Sequence, residues 1–267
     1  MSDARIQPLI ISAPFGNYIQ PRGTTPTLGT FTAARRPGRL LQILRTVRHY
    51  RRIGAWVNKI GLRNPGIDSL VERVQAGRAD VADKIVSIHG FSTDDWYKLL
   101  EQVQMIEPLA IELNMSCPNV GEVSWPADLF EGAIKAAGKV GGVIVKLPPV
   151  NYELMARQAL EAGVRTFHCC NTLPVPAGGM SGKPLKPVAL ACIRDLRSRL
   201  LGDLTDAVTL IGGGGITTTA DIDDYIKAGV QHVAVGTKVM SPLYLLTDKP
   251  LRPLIEHAGH HLQPRVS

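Results

Sequence analysis

From about residue 84 onward, short apolar runs alternate with segments of helical period. The runs are KIVSI (84–88), LAIEL (109–113), GVIVKL (142–147), VRTFHC (164–169), AVTLI (207–211) and QHVAV (231–235). Each is short and rich in Val and Ile, as strands covered on both faces should be. Helical patterns fall between them, near 93–105, 127–138, 151–162, 185–200 and 218–228. Ser92 and Thr93 stand before Asp94 and Asp95, and Thr218 and Thr219 before Asp221, where N-caps belong. Gly163 and Gly229 lie just past two helix ends, as C-cap glycines do.

Six strands with five intervening helices predict a parallel sheet. Upstream, LIISA (9–13) and AWVN (55–58) can supply two more strands. Eight favour a closed (β/α)8 TIM barrel of α/β class, filling residues 1–267 as a single domain. The first 80 residues fit the repeat poorly, and PFGNYIQPRGTTPTLGTFT reads as loop because of its Pro, Gly and Thr.

Composition changes this picture little. With 45% hydrophobic and 20% charged residues, the 267-residue chain is ordinary for a globular protein. No apolar run reaches the length of a membrane span, and the N-terminus lacks a signal-peptide pattern. The expectation is therefore a cytoplasmic protein with no transmembrane segment. Four cysteines without C-x-x-C spacing suggest neither a disulfide framework nor a zinc or iron–sulfur site.

Charge matters more. The formal net charge is +7, and residues 35–52, RRPGRLLQILRTVRHYRR, hold seven arginines and no acid. Leu40, Ile43, Leu44, Val47 and Tyr50 recur at helical spacing, predicting an amphipathic helix over 39–52 with arginines on its other face. That face reads first as a solvated surface. A lid, anion steering, or contact with nucleic acid or an anionic membrane are the alternatives, and no nucleic-acid partner is expected.

A barrel places its chemistry where strands run into loops. Reading those ends in order gives Ser12-Ala13-Pro14, NKIGLRNPG (58–66), His89-Gly90, ELNMSCPN (112–119), Lys146, Asn171-Thr172, Gly212–Gly215 and Gly236-Thr237. Asn58, Asn114, Asn119 and Asn171 set four amides around one mouth. An amide both donates and accepts, so four can read the alternating N–H and C=O edge of a planar heterocycle. Lys146 ends a buried strand, where a charge is costly unless paired. The last two strands end in glycine turns ahead of helices, a phosphate-binding arrangement. Together these describe a barrel for a phosphorylated planar cofactor with a planar polar ligand beside it and Cys117 alongside.

Blander readings stand beside these. Cys117 could be a buried structural thiol, and Asn114 and Asn171 could satisfy loop backbone. Lys146 could be solvated, and the glycine run could be a plain turn. His89 and His168 read as core or rim histidines, and the C-terminal HAGHH stretch as surface.

The segments IELNMSCPN, VKLPP, NTLP with GGMSGKPLKPVAL, and IGGGGI with AGVQHVAVGT resemble the dihydroorotate dehydrogenases, FMN enzymes of pyrimidine biosynthesis. VNKIGLRNPG resembles their substrate loop, and SAPFG is a weaker match. The resemblance runs over roughly residues 54–240, and several ordered motifs together are specific where one alone is not. It implies FMN as cofactor and oxidation of the anionic substrate dihydroorotate to orotate. Cys117 would be the base, which resembles the soluble class, with hydride passing to flavin N5. Asn58, Asn114, Asn119 and Asn171, with Thr172, would hold the pyrimidine. The backbone of Ile60, Gly61 and Leu62 would face its carboxylate. Lys146 would contact the flavin, as would Ala13 and Asn114. Gly179, Ser181, Gly182, Gly214, Gly215, Gly236 and Thr237 would form the phosphate and ring cradle. A homodimer also follows from the resemblance.

The chain departs from the family in places. A family lysine is replaced in LGTFTAARR, where Ala33 or Ala34 falls at its position. The arginine-rich segment replaces a GNPxPR stretch. Another cyclic amide or conjugated substrate, or a non-catalytic phosphoryl-ligand barrel, are the alternatives these departures leave.

Overall fold

The computed structural model describes residues 5–115, 125–138 and 142–262. The chain runs β1 (Leu9–Ile11), β2 (Thr24–Phe31), α1 (Arg39–Thr46), β3 (Arg48–Tyr50), β4 (Ala55–Asn58), α2 (Ile67–Gln75), β5 (Ile85–Ile88), α3 (Thr93–Gln104), β6 (Ala110–Asn114) and α4 (Leu129–Ala137). It continues through β7 (Gly142–Lys146), α5 (Glu153–Glu161), β8 (Thr166–Cys169), β9 (Leu173–Val175), β10 (Gly178–Gly182), α6 (Leu185–Asp195), β11 (Thr209–Gly213), α7 (Thr219–Lys227), β12 (His232–Val235) and α8 (Arg252–His261). Strands β1, β2, β5, β6, β7, β8, β11 and β12 close into a parallel barrel, and β3, β4, β10 and β9 form a small antiparallel sheet.

Alternation along the strands decides what faces where. Leu9, Ile11, Val86, Ile88, Ile111, Leu113, Val145, Phe167, Leu210 and Val233 join the large core that the helices cover. Ile10, Ile85, Ala110, Ile144, Ile211 and Ala234 have the opposite parity and form a separate apolar plug inside the barrel. Two residues further along the same strands come Ser12, Ser87, Glu112, Lys146, Gly213 and Gly236. The interior therefore turns from apolar to polar toward the C-terminal strand ends.

The second barrel strand is β2, in the stretch read as loop, whereas 55–58 forms β4 of the small sheet. Thr25 and Thr27 are buried, and Thr25 Oγ1 accepts from Gln7 N at 2.8 Å. Threonine is a good strand former when its hydroxyl is satisfied. Those hydroxyls, with Pro26 and Gly29, disguised the strand. Its register with β5 shifts between Leu28 and Phe31, where Gly29 takes φ 97°. This bulge lets Leu28 and Phe31 both join the outer core and turns Thr30 inward.

The arginine-rich segment is also corrected. Its helix stops at Thr46, because Val47 is extended and Arg48–Tyr50 pair with Ala55–Val57. Helix α1 buries no residue, and Leu40 and Leu44 are each 71% exposed. The helix expected over 185–200 ends at Asp195 and passes into a π-helical turn, Leu196–Leu201. The caps stand where expected: Ser92 Oγ accepts from Asp95 N, and Thr218 with Asp221 forms a capping box.

Candidate active site

A cavity of about 600 Å³ opens at the C-terminal strand ends and continues along the outer side of β2. That volume suits a ligand of drug or cofactor size. Its walls carry Ala13 after β1, Thr30 on β2, Asn58 on β4, Asn114 on β6, Lys146 on β7 and Asn171 with Thr172 after β8. Ile60, Gly61 and Leu62 line it from the loop after β4, and Ser181 from β10. Gly214, Gly215, Gly236 and Thr237 line the end formed by the last two barrel strands. Gly179 and Gly182 lie in β10, paired with Asn58 and Ala55. Cys117 and Asn119 fall outside the described residues.

The amides are held in place by one another and by backbone. Asn171 Nδ2 donates to Asn114 Oδ1 at 2.8 Å, and Asn171 Oδ1 accepts from Thr172 N at 2.8 Å. Asn114 Nδ2 donates to Thr30 Oγ1 at 3.0 Å. Below Asn114, His89 Nδ1 donates to its carbonyl at 2.7 Å. Burial holds His89 below the usual histidine range despite that bond, so the ring is neutral and structural.

Under the amides lies a buried charge cluster. Lys146 is 7% exposed and Glu112 2%, with Nζ and Oε1 3.8 Å apart. His168 Nδ1 lies 2.8 Å from Glu112 Oε2. Burial alone would raise the Glu112 carboxyl, but Lys146, followed by the His168 hydrogen bond and the neighbouring Ser87 hydroxyl, holds it down to about 2. Burial and the Lys146 charge lower His168, so its neutral ring donates from Nδ1. His168 is buried and lines the cavity from beneath. Cys170 lines it too, but burial pushes its thiol up, away from use as a base at neutral pH.

Asn64 organises the loop after β4. Its Oδ1 accepts from Gly66 N at 2.8 Å and Thr32 N at 3.2 Å. Its Nδ2 donates to Leu62 O at 2.7 Å and Thr32 Oγ1 at 2.9 Å. These bonds hold Leu62 at φ 53°, a left-handed conformation that a branched side chain rarely adopts. Arg36 pins the same loop by donating from Nε to Gly61 O at 3.2 Å, with its guanidinium 4.6 Å from the Phe91 ring centre. Ala33, one expected site of the replaced lysine, is buried in the outer core, and β2 presents Thr30 to the cavity instead.

A phosphorylated flavin fits these walls. Gly215 has φ 68°, and a Cβ there would lie 2.8 Å from Gly182 O, so the turn after β11 packs its backbone closely against the end of β10. Tyr225 OH donates to Gly214 O at 2.7 Å and fixes that turn. Thr217 N and Thr218 N already serve Asp221 Oδ2, which leaves the backbone of Gly214–Ile216 and Gly236–Thr237 as the cradle facing the cavity. At the other end, the Lys146 ammonium has one carboxylate partner among the described residues, at the long distance of 3.8 Å, and it lines the cavity. Such an ammonium has donors to offer a ring carbonyl.

The family model for dihydroorotate dehydrogenase matches residues 23–249. The chain is 34% identical over 207 residues to the catalytic subunit of dihydroorotate dehydrogenase B (NAD(+)) from Alkaliphilus metalliredigens, covering 69% of this chain and 67% of that protein. The same subunit from Petrotoga mobilis is 32% identical over 215 residues, covering 72% and 69%. In fold, the chain is similar to a ligand-free DHODH from Eimeria tenella, with a TM-score of 0.70 and 21% identity over 95% of this chain and 82% of that one.

Proposed function

The chain belongs to the dihydroorotate dehydrogenase family, and from that premise we propose that its cavity binds FMN and oxidises dihydroorotate to orotate. The observation that carries this reading is one cavity holding both halves of the chemistry: a backbone cradle for phosphate, and amides over a buried lysine for a planar ring. FMN, when bound, accepts the hydride leaving C6 of the substrate.

The chain's own groups do the rest. Asn58, Asn114 and Asn171 present donors and acceptors to the pyrimidine edge, with Asn119 in the same motif. The backbone of Ile60, Gly61 and Leu62 faces the substrate carboxylate. Lys146 places positive charge at the flavin, where reduction adds negative charge. Cys117 takes the C5 proton. Its support is the order of the NMSCPN motif, whose first residue, Asn114, ends β6 and lines the cavity. Ala13, Gly179, Ser181, Gly182, Gly214, Gly215, Gly236 and Thr237 complete the cofactor cradle in this reading.

A homodimer in the cytoplasm is the finer part of the proposal. Among the described residues, no helix is long and apolar enough to cross a membrane. Light scattering on purified protein should give twice the 28.9 kDa chain mass; a monomer across the working concentration range would remove the dimer. The function is tested by incubating FMN-loaded protein with dihydroorotate and an artificial electron acceptor. Orotate should accumulate. Protein that holds FMN but forms no orotate redirects the reading to another cyclic amide or conjugated substrate, which the missing lysine at Ala33 or Ala34 would favour.

A further inference from the structure

Beneath the cavity, one buried carboxylate joins the groups that the proposed chemistry uses. Glu112 meets His168 through Oε2 and faces Lys146 through Oε1, an oxygen that makes no hydrogen bond among the described residues. Across the β5–β6 register its neighbour is Ser87, whose hydroxyl helps to hold the carboxyl down. From Ser87 the hydrogen bonds run outward: Ser87 Oγ and Thr30 Oγ1 lie 3.0 Å apart, Thr30 Oγ1 accepts from Asn114 Nδ2 at 3.0 Å, and Asn114 Oδ1 accepts from Asn171 Nδ2 at 2.8 Å.

A carboxylate only accepts, and this fixes the direction of the whole chain. Ser87 sits across the register from that carboxylate; with its hydroxyl turned to it, Ser87 accepts from Thr30. Thr30 then uses its own proton on Ser87 and accepts from Asn114. Asn114 thus turns its amide nitrogen toward Thr30 and its oxygen toward Asn171. On the other branch, His168 gives its Nδ1 proton to Glu112. Nε2 is left as an acceptor beside Gly213, where a Cβ would lie only 2.5 Å away.

We propose that Glu112 is a positioning residue of the redox site: through Lys146 and His168 it sets the charge and the acceptor beneath FMN, and through Ser87 and Thr30 it fixes which way Asn114 and Asn171 face the substrate. The inference rests on the flavin reading above. A merely structural role would keep the cluster folded without transmitting anything to the cavity.

The two roles separate in a double-mutant cycle read by FMN titration of apoprotein and by the flavin midpoint potential. Glu112→Gln keeps the shape and removes the charge. It should weaken FMN binding about tenfold, the scale of one charge-assisted hydrogen bond. It should also raise the potential, because the lysine charge is no longer offset. In a Lys146→Met background, the same change should alter FMN affinity by less than about twofold, since coupled residues do not add. Equal effects in both backgrounds, or an unmoved potential, would overturn the inference. If Glu112→Gln does not fold, Ser87→Ala cuts the relay and leaves the charge in place. It should weaken binding of the product orotate about tenfold while leaving FMN affinity unchanged; unchanged orotate binding would overturn the inference equally. Wild-type protein that takes up no FMN would instead remove the flavin reading itself.

Discussion

Asn64→Ala separates substrate binding from cofactor binding. Asn64 is 8% exposed and joins the loop after β4 to the segment after β2. The substitution removes acceptors from Thr32 N and Gly66 N and a donor from Leu62 O and Thr32 Oγ1. Four hydrogen bonds at about 1 kcal/mol each set the scale at about 4 kcal/mol, and burial of the two orphaned N–H groups keeps water from restoring it cheaply. A domain of this size loses about 2–4 °C per kcal/mol, so the melting temperature should fall by about 8–16 °C. Leu62 then has no reason to stay at φ 53°, and the loop can relax out of the shape that faces the substrate carboxylate. The phosphate cradle lies on other strands and should be untouched. FMN affinity should therefore hold within about twofold, while KM for dihydroorotate rises about tenfold, as expected for a lost positioning contact of about 1.4 kcal/mol. Thermal melts, FMN titration and steady-state kinetics on one preparation test all three. A variant that melts like wild type, or that loses FMN and substrate binding together, would refute the assignment of Asn64 to the loop.

Lys146→Met leaves the buried Glu112 charge without its cation, and should destabilise the apoprotein by about 3–5 kcal/mol in urea unfolding at neutral pH; a smaller loss near pH 3 would identify the stranded carboxylate as the cause. Acid unfolding should carry the signature of Glu112: its folded value is depressed to about 2 from 4.5, so the stability it contributes is fully present above pH 4.5 and drains away as pH falls toward 2. Glu112→Gln should flatten that limb of the stability–pH curve, and an unchanged limb would contradict the cluster's charge state. Cys117→Ser should slow flavin reduction by about 10²–10⁴-fold with FMN content held, the scale of general-base catalysis, and an unchanged rate would remove the thiol from that role.

The parts of this structure that could be read from sequence are those whose neighbours in space are neighbours in sequence. Strands β5 to β8, β11 and β12 announce themselves because buried parallel strands are Val/Ile runs, and their helices because caps and C-terminal glycines are local signals. Strand β2 escaped because its inward face is threonine and its bulge is glycine, so the pattern of a strand was written in loop-forming residues. Helix α1 was read too long because its apolar period continues through Val47 and Tyr50. What ends it is pairing with β4, a partner in space. The amides and Lys146 were visible as strand ends. Glu112, His168, Thr30 and Asn64 were not, because each takes its meaning from a group on another strand or loop. One signal was available: Glu112 stands two residues before Asn114, and so on the same face of a buried strand, where an unpaired acid is not tolerated.

The central claim is that one cavity holds FMN and reduces it with dihydroorotate. Anaerobic mixing of FMN-loaded protein with a slight excess of dihydroorotate, followed at the flavin absorbance, tests it most directly. The account predicts bleaching of the bound flavin with one orotate formed per flavin reduced. A bound flavin that stays oxidised under these conditions would contradict it.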